Sequence, residues 1–376
     1  MAQILVITWD GGGNVPPMLG IAHELRRRGH DVRVLGHPQQ RDVVTAAGLE
    51  FVAYNHTRPW SPEEPATGLR FLLRFLFGVF TDPRIGDDVR SELSRAPVDL
   101  AVVDSMTLGA LRATERAGVP TAVLMHSLHR YHTHNWSRGP IGIVAALRGM
   151  RPGRLWNNAD RVLVATDRDL DPVGNRRLPT NVRYTGVVQT KPHHNAPGET
   201  PLVLVSLSTI FFVGQAAALQ AILEALAGLP IRAIVTTGAV EPRTLTAPPG
   251  VELHRYLPHD EIMPSASLVI GHGGHSTTMR ALAHDLPLLI LPMHPVLDQP
   301  MIGKAVAAAG AGRVLPKTAP PDELREAVNT LLQDEQYRAA AATIGHRLRS
   351  RNGANIAADE LESLLSTQQK TAGPAA

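Results

Sequence analysis

The chain has no cysteine, so disulfides and thiolate metal sites are excluded and a cytoplasmic setting is expected. No stretch reaches the roughly 18 apolar residues of a membrane span, and no stable membrane insertion is expected. The first residues form a short apolar run followed by glycines, without the basic and apolar regions of a secretory signal; none is expected. Aromatic residues make up only 4% of the chain. Charge of neither sign dominates: 37 basic and 34 acidic residues leave a formal +3. No dense Lys/Arg block appears, so nucleic acid is not expected as a partner.

What is present is a globular composition, 44% apolar and 19% charged, over 376 residues. That length suits two domains of about 180 residues each. Short apolar runs at 4–7, 31–35, 100–103, 122–125 and 161–165 alternate with helical patterns at 18–28, 40–47 and 107–117. Apolar strands separated by helices predict a parallel sheet covered on both faces. A polar stretch at 189–200, with Pro192, Asn195, Pro197 and Gly198, reads as a linker. A second series follows, with strands at 202–205, 231–235, 268–270, 287–291 and 312–315 and helices at 215–227, 322–332 and 335–347. The expected fold class is α/β, two doubly wound domains facing a cleft, with ligands at the C-terminal ends of the strands. The tail at 368–376 is expected to be disordered.

The most informative segment is GHGGHSTTMRALAHDLPLLILPMHPVLDQP, residues 271–300. Glycines, a Ser and two Thr open a helix directly after an apolar strand. Free N–H groups and the positive end of the helix dipole then face an anion such as phosphate. Asp298-Gln299 follows the next strand and suits a polyhydroxyl group. A diphosphate site with a sugar site behind it is expected of an enzyme using a nucleotide-sugar. Each piece also has a plainer explanation, since Ser-Thr-Thr at a helix start is often only a cap.

With these residues the chain resembles the GT-B glycosyltransferases of the inverting family 1 type, which include macrolide, polyketide-antibiotic and plant natural-product enzymes. The resemblance rests on Leu257-Pro258-His259, the strand at 268–270, His272-Gly273-Gly274-His275-Ser276-Thr277-Thr278 and Asp298-Gln299. It implies an N-terminal acceptor-binding domain (1–188), the linker (189–200), a C-terminal nucleotide-sugar domain (201–354) and a helix at about 355–367 packing back on the first domain. It implies that His272, Gly274, Ser276 and Thr277 bind a diphosphate, and that Thr209 stands near it. Tyr256 would stack on the base, Leu257 would bond it through backbone, and Asp298 and Gln299 would bind sugar hydroxyls. Ser208 stands where glycine is usual. Arg280 stands where enzymes using UDP often carry a Glu that accepts from ribose hydroxyls; Arg cannot accept. UDP and dTDP both stay open. No cofactor or metal is expected beyond the NDP-sugar.

An inverting transfer needs a base for the acceptor's proton. Family members place a His in the loop after the first strand, oriented by a carboxylate. Here that loop reads TWDGGGNVPP, residues 8–17, and Asn14 falls at the His position. Asp104, ending a V-x-D strand, matches the carboxylate. Three readings follow: Asp10 or Asp104 is the base with Asn14 positioning the acceptor hydroxyl, an acidic acceptor needs little help, or the chain is inactive. The segment MHSLHRYHTHNW, residues 125–136, holds His126, His129, His132 and His134. It lacks the carboxylate and Cys partners of a dedicated metal site. It is expected to line the acceptor pocket through His126 and His132, either of which can also supply the base. Gly13 allows close backbone approach. The Phe/Leu-rich stretch 69–80, with Phe77, is either core helix, a wall for a bulky lipophilic acceptor, or a membrane-surface helix. The expected activity is sugar transfer from UDP-glucose or a dTDP-sugar to a hydroxyl of a lipophilic natural product. An inactive partner protein and an NDP-sugar 2-epimerase are the alternatives. The GGGN loop lacks the spacing of a dinucleotide fingerprint, which disfavours a dehydrogenase.

Overall fold

The computed structural model describes residues 1–60, 73, 75–174, 176–188 and 198–371. Most of the expected linker, and residues 69–72 and 74 of the Phe/Leu-rich stretch, lie outside the described residues. Among the described residues, those up to 188 and those from Arg351 onward form one unit, and 198–350 form a second.

The first unit begins with β1 (Gln3–Ile7), α1 (Val15–Arg27), β2 (Asp31–Gly36), α2 (Arg41–Ala46) and β3 (Glu50–Ala53). It continues with α3 (Pro83–Arg95), β4 (Leu100–Asp104), α4 (Leu108–Ala117) and β5 (Thr121–Met125), then α5 (Pro140–Leu147), α6 (Pro152–Asn158), β6 (Arg161–Val164) and β7 (Val182–Tyr184). The seven strands are parallel, in the order β3-β2-β1-β4-β5-β6-β7. Ile4, Leu5, Val6 and Ile7 are all buried, as a strand covered on both faces requires. α1 starts three residues before its amphipathic pattern does, because Pro16 and Pro17 fit a first turn whose N–H groups have no partner in the helix. It stops at Gly29, whose φ of +89° suits a residue without Cβ. Single π-helical turns at Leu76–Phe80 and Tyr131–Trp136 interrupt the regular pattern.

The second unit runs β8 (Leu202–Ser206), α7 (Gln215–Leu226), β9 (Arg232–Thr236), β10 (Val251–His254), α8 (His259–Ile262), β11 (Leu268–Gly271) and α9 (His275–Ala283). β12 (Leu288–Ile290), α10 (Gln299–Ala308), β13 (Gly312–Val314), α11 (Pro321–Gln333) and α12 (Glu335–Ser350) follow. Its sheet is parallel, in the order β10-β9-β8-β11-β12-β13. The last helix, α13 (Gly353–Thr371), belongs to the first unit. Ala357, Ala358, Leu361 and Leu364 enter the same core as Met18, Ile21 and Leu25 of α1. Arg28 fixes the two helices through Asp359 and Glu362, each at 2.6 Å. Among the described residues no helix is long and apolar enough to cross a membrane.

Strand order reverses between β1 and β4 in one sheet and between β8 and β11 in the other. Loops leaving the C-terminal ends of strands at such reversals leave a crevice for ligands.

Candidate active site

At the reversal in the first sheet, Ile7 of β1 lies beside Val103 of β4. The loop after β1 therefore folds over Asp104. Asn14 is 2% exposed. Its Nδ2 donates to Asp104 Oδ2 (3.0 Å) and to the Trp9 carbonyl (2.9 Å), and its Oδ1 accepts from the Gly11 N–H (3.1 Å). Both amide N–H groups are thus engaged inside the fold, where Asn14 ties the loop after β1 to Asp104. The half-buried Asp10 donates its backbone N–H to His37 Nδ1 (3.3 Å) and accepts the Trp60 indole N–H at its carbonyl (2.5 Å). Gly13 is exposed, with its N–H on the Gly11 carbonyl (3.0 Å).

Asp104 is 1% exposed. Its Oδ1 accepts the Met106 N–H (2.9 Å), and His126 Nδ1 lies 3.4 Å from Oδ2. Burial works to raise the Asp104 pKa, but His126 and the N–H groups of Met106 and Asn14 outweigh it and hold it below the usual carboxylate range. β4 pairs with β5 so that Asp104 faces Leu124, which sets His126 just past the end of the neighbouring strand.

The other histidines of this segment differ. His132 is fully buried, with Nδ1 3.0 Å from the Leu128 carbonyl and its ring edge-on to His126, Tyr131 and Trp156. Burial drives its pKa down to about 3. It backs His126 as a neutral core residue, a correction to its expected place on the acceptor surface. His129 is held by its backbone, whose N–H donates to Asp171 Oδ2 (2.6 Å). Among the described residues no three His, Asp or Glu side chains converge as a metal site would need. The four tryptophans of the chain join one chain of rings, Trp60–Trp9–Phe80–Trp136–Trp156, with neighbouring centroids 5.4–5.8 Å apart, edge-on except for the tilted Trp136–Trp156 pair. Phe77 is half-buried beneath the Arg148 guanidinium.

In the second unit, Ser206 of β8 lies beside Gly271 of β11. Past them stand the 207–209 loop on one side and His272-Gly273-Gly274 on the other. Gly273 has φ +81°, and a Cβ there would press on the Gln299 carbonyl. Gly274 caps α9, and a Cβ on it would run into His272 Nε2. Only glycine therefore lets the imidazole lie against this turn. Burial drives the His272 pKa down to about 4, with the Ser206 carbonyl opposing and His259 assisting. Ser276 and Thr277 are half-buried in the first turn of α9. Thr209 and Tyr256 are exposed and Leu257 half-buried. Ser208 lies against Gly238, its carbonyl taking the Gln215 side-chain N–H (3.0 Å) and its Oγ the Ile210 N–H (2.9 Å). Gln299 is buried, and its Oε1 accepts the N–H groups of Met293 (2.8 Å) and His294 (3.1 Å). Its carbonyl oxygen thus shapes the loop, and Asp298, half-buried, is the N-cap residue just before α10. Arg280 Nε lies 3.1 Å from Asp260 Oδ1.

Residues 220–364 match the C-terminal domain of erythromycin biosynthesis protein CIII-like proteins, and residues 12–186 match the glycosyl transferase 4-like domain. The 4'-demethylrebeccamycin synthase of Lentzea aerocolonigenes is 27% identical over 97% of this chain and all of its own length. The calicheamicin glycosyltransferase CalG4 superposes with a TM-score of 0.79 at 24% identity, covering 97% of this chain and 98% of its own. Glycosyltransferase VinC, solved with dTDP, gives 0.74 at 17% identity over 97% and 100%. The chain is a family 1 GT-B glycosyltransferase.

In this glycosyltransferase some supports of the site carry no motif. His37 follows β2, takes the Asp10 N–H, and is pushed by burial to about 4. Lys317 Nζ donates to the carbonyls of Val213 (2.8 Å) and Met293 (3.0 Å), tying the loops after β8 and β12. Neither stands in a distinctive pattern; only the His37-Pro38 step after a strand hints at a turn.

Proposed function

We propose that the enzyme transfers a sugar from a dTDP-sugar, with inversion, to a hydroxyl of a lipophilic natural product of the polyketide or aromatic class, in the cytoplasm. The observation that carries the donor half is the neutral His272 seated on the Gly273-Gly274 turn at the start of α9. A neutral imidazole offers at most one N–H, and the α9 N-terminus adds backbone N–H groups and the helix dipole. Ser276 and Thr277 in the first turn supply hydroxyl donors, Thr209 approaches from the facing loop, and Asp298 with the Gln299 amide nitrogen serves the sugar. The exposed Tyr256 takes the base, with Leu257 backbone beside it.

Arg280, engaged by Asp260, has no acceptor for a ribose 2′-hydroxyl, which favours the deoxynucleotide. VinC holding dTDP supports the same choice. The lipophilic acceptor is supported by the tryptophan-rich first unit and by Ile143 and Leu147, one turn apart on α5 and 56% and 82% exposed. The names of the relatives, a 4'-demethylrebeccamycin synthase and a calicheamicin glycosyltransferase, point the same way.

Isothermal titration with dTDP and UDP tests the donor. Binding of dTDP at least about fivefold tighter, roughly 1 kcal/mol, is expected; tighter UDP would overturn the nucleotide choice. Release of nucleoside diphosphate only in the presence of acceptor, with a β-linked product from an α-linked donor, completes the test.

A further inference from the structure

We infer that His126 is the general base of the transfer and Asp104 its positioning partner, with Asn14 filling the place but not the proton-accepting role of the histidine usual after β1. The inference rests on the proposed transfer from a nucleotide donor. Asp104 ends β4 and His126 follows β5, its neighbour in the sheet, at the edge where ligands gather. His126 Nδ1 is enclosed and lies 3.4 Å from Asp104 Oδ2. With Nδ1 turned to the carboxylate, Nε2 lies on the opposite edge of the ring, and the side chain keeps 14% of its surface exposed. Asp104 and His132 are titratable side chains that face the ring. His132 stays neutral, so Asp104 supplies the charge.

The neighbouring groups are poorer bases. Asn14 has no basic nitrogen, and both its N–H groups are engaged. Asp104 accepts from Met106 and Asn14 besides facing His126. A carboxylate so stabilised is a weak base, but it is well suited to hold an imidazolium.

The acceptor oxygen forms a bond to the anomeric carbon while its proton passes to His126 Nε2. The bond from that carbon to the phosphate oxygen breaks, and its electron pair leaves with the nucleoside diphosphate. The imidazolium formed beside Asp104 then releases its proton to solvent.

His126→Gln, Asp104→Asn and the double variant are compared with wild type, using dTDP-glucose and UDP-glucose with paired alcohol and phenol acceptors. His126→Gln should lower kcat by at least about 100-fold and leave nucleotide Kd unchanged. The loss should be smaller for the phenol, whose proton leaves more easily, and the double variant should add little to either single one. The acid limb of kcat/KM should vanish in His126→Gln. Retention of more than a tenth of kcat, a loss confined to acceptor KM, or survival of the acid limb overturns the assignment. If wild type transfers no sugar, the transfer reading itself fails. The pair is then decided by NMR: Asp104→Asn should lower the titration midpoint of the His126 ring by about one unit, and an unmoved midpoint refutes it.

Discussion

Gly274 shows how a single hydrogen decides a site. Its backbone, φ −64° and ψ 134°, is ordinary for any residue, so alanine would meet no backbone strain. The obstacle is His272 Nε2, which a Cβ would strike. Gly274→Ala should therefore weaken dTDP binding by at least about tenfold, roughly 1.4 kcal/mol, as the imidazole swings off the turn. Global stability should change by less than about 1 kcal/mol, read by urea titration. Undiminished binding would remove His272 from the nucleotide site. The turn proposed to hold the donor was legible as a turn in the sequence because its parts are contiguous: strand, two glycines and a helix start in one run. The Asp104–His126 pair was not legible as a pair. The two residues are far apart in sequence, and strand register alone brings them together. Asn14 was readable as a departure from the family, but its tie to Asp104 was not. That depends on three hydrogen bonds that no spacing encodes.

Among the elements, legibility followed burial. Central strands such as β1, β4, β5 and β8 are buried along most or all of their length and read as apolar runs. The edge strands β3, β7 and β10, and the helices α3, α5 and α6, left no such signal. Glu50 opens β3, Glu252 sits inside β10, and both strands are only partly covered. α5 is short and apolar all round, so it has no polar face to mark a helical period. That same feature gives it a function to test. Ile143 and Leu147 have no cover among the described residues of this chain to match their exposure, as a surface for a lipophilic acceptor should. Leu147→Glu should raise KM for a polyketide-type acceptor by about tenfold, which one lost apolar contact of 1–2 kcal/mol explains. Nucleotide Kd and kcat should stay within about twofold. An unchanged acceptor KM would place the acceptor elsewhere on the first unit.

Across the whole molecule, the two-unit parallel α/β plan was legible from strand–helix alternation. Its electrostatic consequence was not, because burial of the 17 histidines cannot be read from composition. His37, His129, His259 and His272 are each pushed to about 4, and His132 to about 3, by burial first of all. In the unfolded chain these groups titrate near 6.5. At pH 5 the unfolded state therefore binds protons that the native state refuses. The stability they contribute is complete above about pH 6.5 and is lost as pH falls toward 4. Glu24, held at about 2, extends the loss to lower pH, while Asp171, raised by burial, acts in the opposite sense. Three of the five histidines lie in the first unit and two in the second, so both units should weaken. Urea midpoints should fall by on the order of 1 M between pH 7.5 and pH 5.0. A flat or rising midpoint would mean that the imidazoles are not neutral in the native state. This stability loss and the acid limb of catalysis are separable. Enzyme held at pH 5.5 in the absence of urea and returned to pH 7.5 should regain full activity, since protonating a base is immediately reversible while unfolding two domains is not.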